Sequence, residues 1–523
     1  MKSKDFFNPI STAEEQFLKS CHLGHRIEIS SDGLDASATD IQIRAELLRA
    51  ILLNEHPKIK LPSKGLRVKG AQVIGRLDLQ GATIPYDISL TSCVLEKSPN
   101  LINARLRGLH LSGSQLPGII ADHAYFEGSV FCRSGFHAEG EISLPGARIY
   151  GDLQICDAEI NSPTGFAIFA PSSQISGSVY LGDYPYDDQT TKLSVDGSIL
   201  FTSATIRRDF YCSHTAIYSG AGPVDAVQTE NTGIESKAMA LSLNRAEIGG
   251  VLFFKSNQIT RGIVNFAGLV ARRLNDDPAD ERENFKLRLD GFDYQAFSDQ
   301  ADLRLKSRLE WLRRRPTDLE FSSQPYEHLA AILSKIGHRS DALDVLYEKE
   351  RFRNQANRDV LRRERRSLWA IPLLWLNDFI LRTMIGYGYR PFLALVWGCV
   401  LIGAMSVLYQ KTWDAGDFAP NAAPILISED WIEATLKHPS NPAKFWSNQG
   451  EAGQDYETFN AIAYSADILI PIVNLGQEEA WAPSTTRSYW GKQAWWVRWF
   501  AKAFGWVITA LGAAAITGAI RNQ

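Results

Sequence analysis

From about residue 64 to 297 the chain alternates aliphatic and polar positions in short runs. The phrases "GRLDLQGATI", "GEISLPGARI", "GDLQICDAEI" and "GSILFTSATI" begin at Gly75, Gly140, Gly151 and Gly197. In the first, Leu77 and Leu79 stand two apart, the small pair Gly81 and Ala82 follows, and Ile84 closes the unit. Period-two alternation buries one face of a short strand, and a small residue at a fixed place after it marks a tight corner against the next layer. Units start about eleven residues apart where the register is unbroken, as from Gly140 to Gly151. No unit buries its own apolar face, so stacked units share one column of Leu, Ile, Val and Phe. The pattern predicts a right-handed, pentapeptide-like β-solenoid over 64–297.

Helical patterns flank it. Residues 1–63 read as a helical N-terminal cap, in which Leu47, Leu48, Ile51 and Leu52 share one face after an N-cap at Thr39 or Asp40. Such a helix covers an otherwise open sheet edge. Residues 298–367 read as a helical hairpin adaptor turning at Gly337, with Leu329, Ala330 and Leu333 on one side and Ala342, Val345 and Leu346 on the other.

The last third turns apolar. Residues 368–390, carrying Pro372 and Asp378, read as an interfacial amphipathic segment, and 391–523 as an α-helical membrane domain. Within it, 391–409 and 503–520 lack any charge and match the length of about 20 residues that a transmembrane helix needs. Between them, "FNAIAYSADILIPIVNLGQEE" at 459–479 holds an apolar run too short to cross, ended by Pro471. A half-helix followed by irregular backbone is tolerated at membrane depth only where protein or a wet cavity encloses it. The order span, re-entrant half-helix, polar turn, span is that of a two-helix pore subunit. The candidate filter is then the carbonyls of Ile472, Val473, Asn474 and Leu475, with Gly476 turning the backbone and Glu478 and Glu479 forming an acidic ring for cations. Asp467 is either a functional group or an anchor for Tyr464 or Ser465. Gly512 is a candidate gating hinge that packing alone would also justify, and Ala510, Ala514 and Gly518 form a small-residue stripe. The filter-like "GYG" at 386–388 precedes the first span, so it reads as a flexible turn.

Charge sets the orientation. Arginines crowd 348–366 and Arg521 follows the second span, which places both termini in the cytoplasm and the loop 410–498 outside. Trp481, Trp490, Trp495, Trp496 and Trp499 suit that outer interface. The N-terminus has no apolar core of a cleaved signal, and a net charge of −4 gives no reason to expect nucleic acid. The expected partners are a lipid bilayer, further copies in a cyclic homo-oligomer, because two spans cannot enclose a channel alone, and an unknown cytoplasmic ligand or protein on the solenoid. Six cysteines stand singly, with Cys93, Cys132 and Cys212 at core positions, and "CHLGH" at 21–25 lacks the second cysteine of a haem site. No metal and no cofactor are expected.

"GRLDLQGATI", "QPYEHLAAIL", "IGYGYRP", "YSADILIPIVNLGQEEAW" and "GWVITALGAAAITGAI" together resemble a family of uncharacterised bacterial membrane proteins, with a pentapeptide-like β-solenoid and a C-terminal membrane pair. Some members carry the label "membrane-associated oxidoreductase". The resemblance implies a multi-pass protein of the bacterial inner membrane. No dinucleotide-binding glycine motif supports the oxidoreductase label. Three functions fit: a cation-permeable pore biased by the solenoid, an anchored scaffold without a pore, or a solenoid enzyme on a carbohydrate-like polymer, which needs acids and bases clustered on one outer face.

Overall fold

The computed structural model describes residues 7–30, 39–57, 59–186, 190–218, 239–277, 285–316, 320–363 and 370–517. The chain divides into two compact units, Met1–Val345 and Leu346–Gln523.

Among the described residues, the first unit is built on a 27-stranded parallel sheet that does not close as a barrel. Its apolar columns run straight through the repeats. Leu66, Ile88, Leu109, Val130, Leu153, Val179, Phe210, Leu252 and Leu274 are successive partners in one ladder. Ile84, Leu106, Phe126, Ile149, Ile175, Ile206, Ile248, Ala271 and Tyr294 form another. Both columns are buried. Neighbouring units do not pair with each other: Leu153 pairs with Val130 and Val179, whereas Ile142, one unit earlier, pairs with Ile119 and Ile168. Each ladder is therefore built from every second unit.

The small pair after each strand has two separate causes. A Cβ on Gly81 would meet nothing within 4 Å, so room is not the constraint there; its φ of +66° is. Asn103, His123, Ser172, Ser203 and Arg245 repeat that left-handed backbone at the matching places, which L-residues other than Gly, Asn and Asp seldom adopt. The second member is limited by space, and Ala104, Ala124, Ala147, Ala204 and Ala246 are fully buried. Cys93, Cys132 and Cys212 are buried as well, and burial pushes the Cys93 thiol up to about 11.

Helix α1 (Thr12–Ser20) starts where Ser11 Oγ accepts the Glu14 N–H at 3.0 Å. The buried Glu14 carboxylate receives the backbone N–H of Arg44 at 2.9 Å and its Nε and Nη2 at 2.8 Å each. Helix α2 (Ala45–Leu52) buries Leu47, Leu48, Ile51 and Leu52, but its N-cap is Arg44. Thr39 and Asp40 lie in a short 3₁₀ turn, because Gln42–Arg44 first pairs with Gln72–Ile74 and joins the sheet.

Three helices follow the sheet: α3 (Leu305–Arg313), α4 (Gln324–Lys335) and α5 (Arg339–Arg363), with Gly337 at φ +98° between the last two. Arg308 on α3 is fully buried. It donates to Asp276 at 2.8 Å and to the Asp302 carbonyl at 2.5 Å, with its guanidinium 4.3 Å from the Phe297 ring centre.

The second unit contains α6 (Ala370–Met384), a 3₁₀ turn at Gly386–Gly388 and α7 (Phe392–Asp414). Among the described residues, α7 alone is long and apolar enough to cross a membrane by length and composition. The segment expected as an outer loop folds into α8 (Ala423–Leu426), α9 (Glu429–Lys437), α10 (Pro442–Trp446), α11 (Ala461–Leu469) and α12 (Gln477–Ala480). Phe418–Pro420 pairs antiparallel with Trp481–Pro483. Helix α13 (Tyr489–Thr517) closes the unit, and residues 518–520 of the expected second span lie outside the described residues. Tyr409, Phe418, Trp431, Trp446, Tyr464 and Trp481 form the core. Trp481 therefore does not face an interface: it is fully buried and donates Nε1–H to the Glu457 carbonyl at 2.8 Å. Trp490, Trp496 and Trp499 do remain exposed.

Candidate functional site

Helix α11 begins at Asn460, whose side chain accepts the N–H groups of Ile462 and Ala463 at 3.0 Å each. It ends at Leu469 because Ile470, ahead of Pro471, is forced into extended backbone. The helix lies between α7 and α13. Tyr464 packs edge-on against Tyr409, centroids 4.8 Å apart, and against Phe418 at 5.2 Å. On the other side α13 comes so close that a Cβ on Gly505 would stand 2.0 Å from the Leu469 carbonyl oxygen.

The return arm is stitched to this helix. Asp467 accepts the Leu475 N–H on one carboxylate oxygen and the Glu478 N–H on the other, both at 2.8 Å. Its anchoring targets are thus backbone groups of the return arm and not Tyr464 or Ser465. The latter donates to the Ala461 carbonyl. Gln477, buried, accepts from Asn460 N at 2.9 Å and donates to Glu457 at 2.7 Å and to the Thr458 carbonyl at 2.9 Å. Gly476 takes φ +76°, and its N–H meets Asn474 Oδ1 at 2.8 Å. Ile472, Val473, Asn474 and Leu475 lie exposed at the tip, Ile472 most of all at 77 %.

Glu478 is not a free acid. Arg498 holds its Oε1 through Nε at 2.9 Å and Nη2 at 2.7 Å, and Lys502 Nζ reaches the same oxygen. Glu479 is exposed and accepts from Asn474 Nδ2 at 3.0 Å. The two acids therefore differ in role, and only Glu479 is available to a ligand. A cavity of about 250 Å³ opens beside them, lined by Asp467, Asn474, Glu478, Glu479, Lys502 and Trp506, with Pro471 and Val473. Sequence reasoning missed Arg498 and Lys502; their spacing of four puts both on one helix face, but it carries no sign of Glu478 as their partner.

Gly512 faces α7, where an added Cβ would rest 3.6 Å from Ala394 Cβ, an ordinary contact. The "GYG" turn is far from this hairpin in chain order and has its own partners on α5 and α6. Among the described residues no group of His, Cys, Asp and Glu is placed to hold a metal ion. Comparison with known protein families, with curated proteins and with solved structures found no match.

Proposed function

We propose that the chain is a bacterial inner-membrane protein that crosses the bilayer twice, through α7 and α13, with both termini cytoplasmic. In this reading the parallel sheet is a right-handed, pentapeptide-like β-solenoid that senses a cytoplasmic ligand or protein. It biases an oligomeric, cation-permeable pore, in line with the resemblance to the solenoid-bearing membrane family. One observation carries the reading: a half-helix clasped between two long helices is followed by irregular backbone whose tip, at Ile472 to Leu475, lies exposed among the described residues. Backbone of that kind in a bilayer needs either neighbouring protein or water, and a ring of copies supplies both. Carbonyl dipoles at 472–475 then select cations, while Glu478, neutralised by Arg498 and Lys502, contributes no acidic ring. The test is conductance of the purified protein in planar bilayers, with its subunit number measured in the same preparation. Cation currents from a ring of copies are expected; a monomer that inserts and stays silent overturns the pore.

A membrane-anchored scaffold is the second reading. It is supported by how completely Asp467 and Gln477 close the hairpin within one subunit, which gives the hairpin an internal structural purpose without any permeant ion.

A further inference from the structure

We propose that the cavity between the hairpin and α13 binds the phosphoethanolamine headgroup of a membrane lipid. The inference rests on membrane insertion of this unit and not on ion permeation. Its first support is the separation of charge around the cavity. Arg498 and Lys502 both reach the carboxylate of Glu478, and the Lys502 side chain is 41 % exposed. Glu479, on the same wall, is a carboxylate with one hydrogen bond, from Asn474, and open acceptor positions. Asp467, the third acid of the lining, already spends both oxygens on Leu475 and Glu478 N–H groups. The cavity lining thus includes one ammonium, on Lys502, and one exposed carboxylate, on Glu479, groups that match the two charges of a zwitterion.

The second support is the setting. Trp506 lines the cavity and is 61 % exposed, and Ile472, between the lining residues Pro471 and Val473, is exposed as well. A tryptophan beside a lysine, at the start of an uncharged helical stretch, is the arrangement found at the headgroup level of a bilayer. Apolar surface there meets acyl chains, while the polar cavity takes the headgroup. The phosphate sits on Lys502 and the ammonium on Glu479.

The chemistry predicts a choice among lipids. A primary ammonium donates hydrogen bonds to Glu479. The trimethylated choline group carries the same charge and donates none, and a glycerol headgroup has no cation. A charge-assisted hydrogen bond at this site corresponds to about a tenfold preference for ethanolamine over choline lipid.

The experiment reconstitutes the full chain in equimolar phosphatidylethanolamine, phosphatidylcholine and phosphatidylglycerol, re-extracts it, and counts retained lipids by native mass spectrometry. Wild type is expected to keep ethanolamine lipid about tenfold over choline lipid. Glu479→Gln, which keeps an acceptor oxygen for Asn474 Nδ2, is expected to erase that preference while thermal stability holds. Lys502→Gln is expected to lower retention of all phosphate-bearing lipids. Equal retention of ethanolamine and choline lipid by wild type, or selectivity that survives Glu479→Gln, overturns the proposal. Displacement of the lipid by soluble phosphoethanolamine at micromolar levels overturns the membrane source. A chain that fails to float with liposomes overturns this inference together with the membrane reading. One that floats, conducts nothing and still selects ethanolamine lipid overturns the pore alone.

Discussion

The Tyr387 hydroxyl donates to the Asp378 carboxylate at 2.5 Å. Asp378 on α6 also receives Asn354 Nδ2 at 2.8 Å and Arg358 Nη1 at 2.9 Å, both from α5. Tyr387 itself stands in left-handed backbone at φ +55°, with its ring 5.5 Å from that of Tyr347. The "GYG" tripeptide is therefore a fastened joint between α5, α6 and the start of α7, and neither a filter nor a loose turn. Tyr387→Phe removes a hydrogen bond to a charged group and is expected to cost about 1.5–3 kcal/mol, read as a lowered Tm of the purified protein. An unchanged Tm would mean that the left-handed turn is held by packing alone.

Glu14 makes the N-terminal cap sensitive to acid. Burial by itself raises the Glu14 pKa, but the hydrogen bonds from Arg44 and Ile10 outweigh it and hold the carboxyl below its usual value. A carboxyl depressed in the folded state adds stability that is present above the unfolded value of about 4.3 and is lost as pH falls through the folded value. Protection of the α1 amides, taken relative to unfolded-chain exchange at the same pH, should be high at neutral pH and fall below about pH 4, and Glu14→Gln should remove that step. Protection of α1 that stays constant across this range would refute the coupling.

The Arg308–Asp276 pair closes the C-terminal end of the sheet with both side chains buried, at 0 % and 2 % exposure. Removing one partner leaves the other charge buried without its counter-ion. Asp276→Ala is expected to destabilise the first unit by about 3–5 kcal/mol, measured as a shift in the urea midpoint. A replacement of both residues by apolar ones of similar volume should recover most of it.

Two glycines of α13 separate packing from hinge. Gly512→Ala adds a methyl at ordinary contact distance and improves helix propensity by about 0.8–1 kcal/mol, so stability should rise and any current persist. Gly505→Ala drives a Cβ into the Leu469 carbonyl and must push α11 away from α13. Lower stability and loss of current are expected for Gly505→Ala alone. Loss of current in a stable Gly512→Ala would restore the hinge.

Asp467→Asn leaves one acceptor oxygen where two N–H groups now dock. One of the Leu475 and Glu478 amides goes unpaired, a cost of about 1–3 kcal/mol. The return arm should become open to protease between 470 and 476 while the rest of the unit stays resistant. An arm as resistant as wild type would show that Gln477 alone holds it.

The apolar columns, the buried face of α2, the turn at Gly337 and the end of α11 before Pro471 were all legible in the residue order. Each depends on a local property: strand or helix periodicity, a left-handed position, or a proline's steric demand on the residue before it. The candidate tip 472–476 was found the same way, from a short apolar run broken by proline. Its electrostatics were not, because Glu478 meets Arg498 and Lys502 twenty and twenty-four positions later, and nothing in either stretch names the other.

Local order alone settled which residues face inward and where elements stop, since those follow from backbone geometry over a few residues. Folding in three dimensions chose the partners: alternate units for each ladder, Arg44 for Glu14, Asp276 for Arg308, a buried place for Trp481, and backbone amides for Asp467. Those pairings come from residues distant in the chain competing for the same space and the same unpaired charge, and such competition has no periodic trace in a sequence.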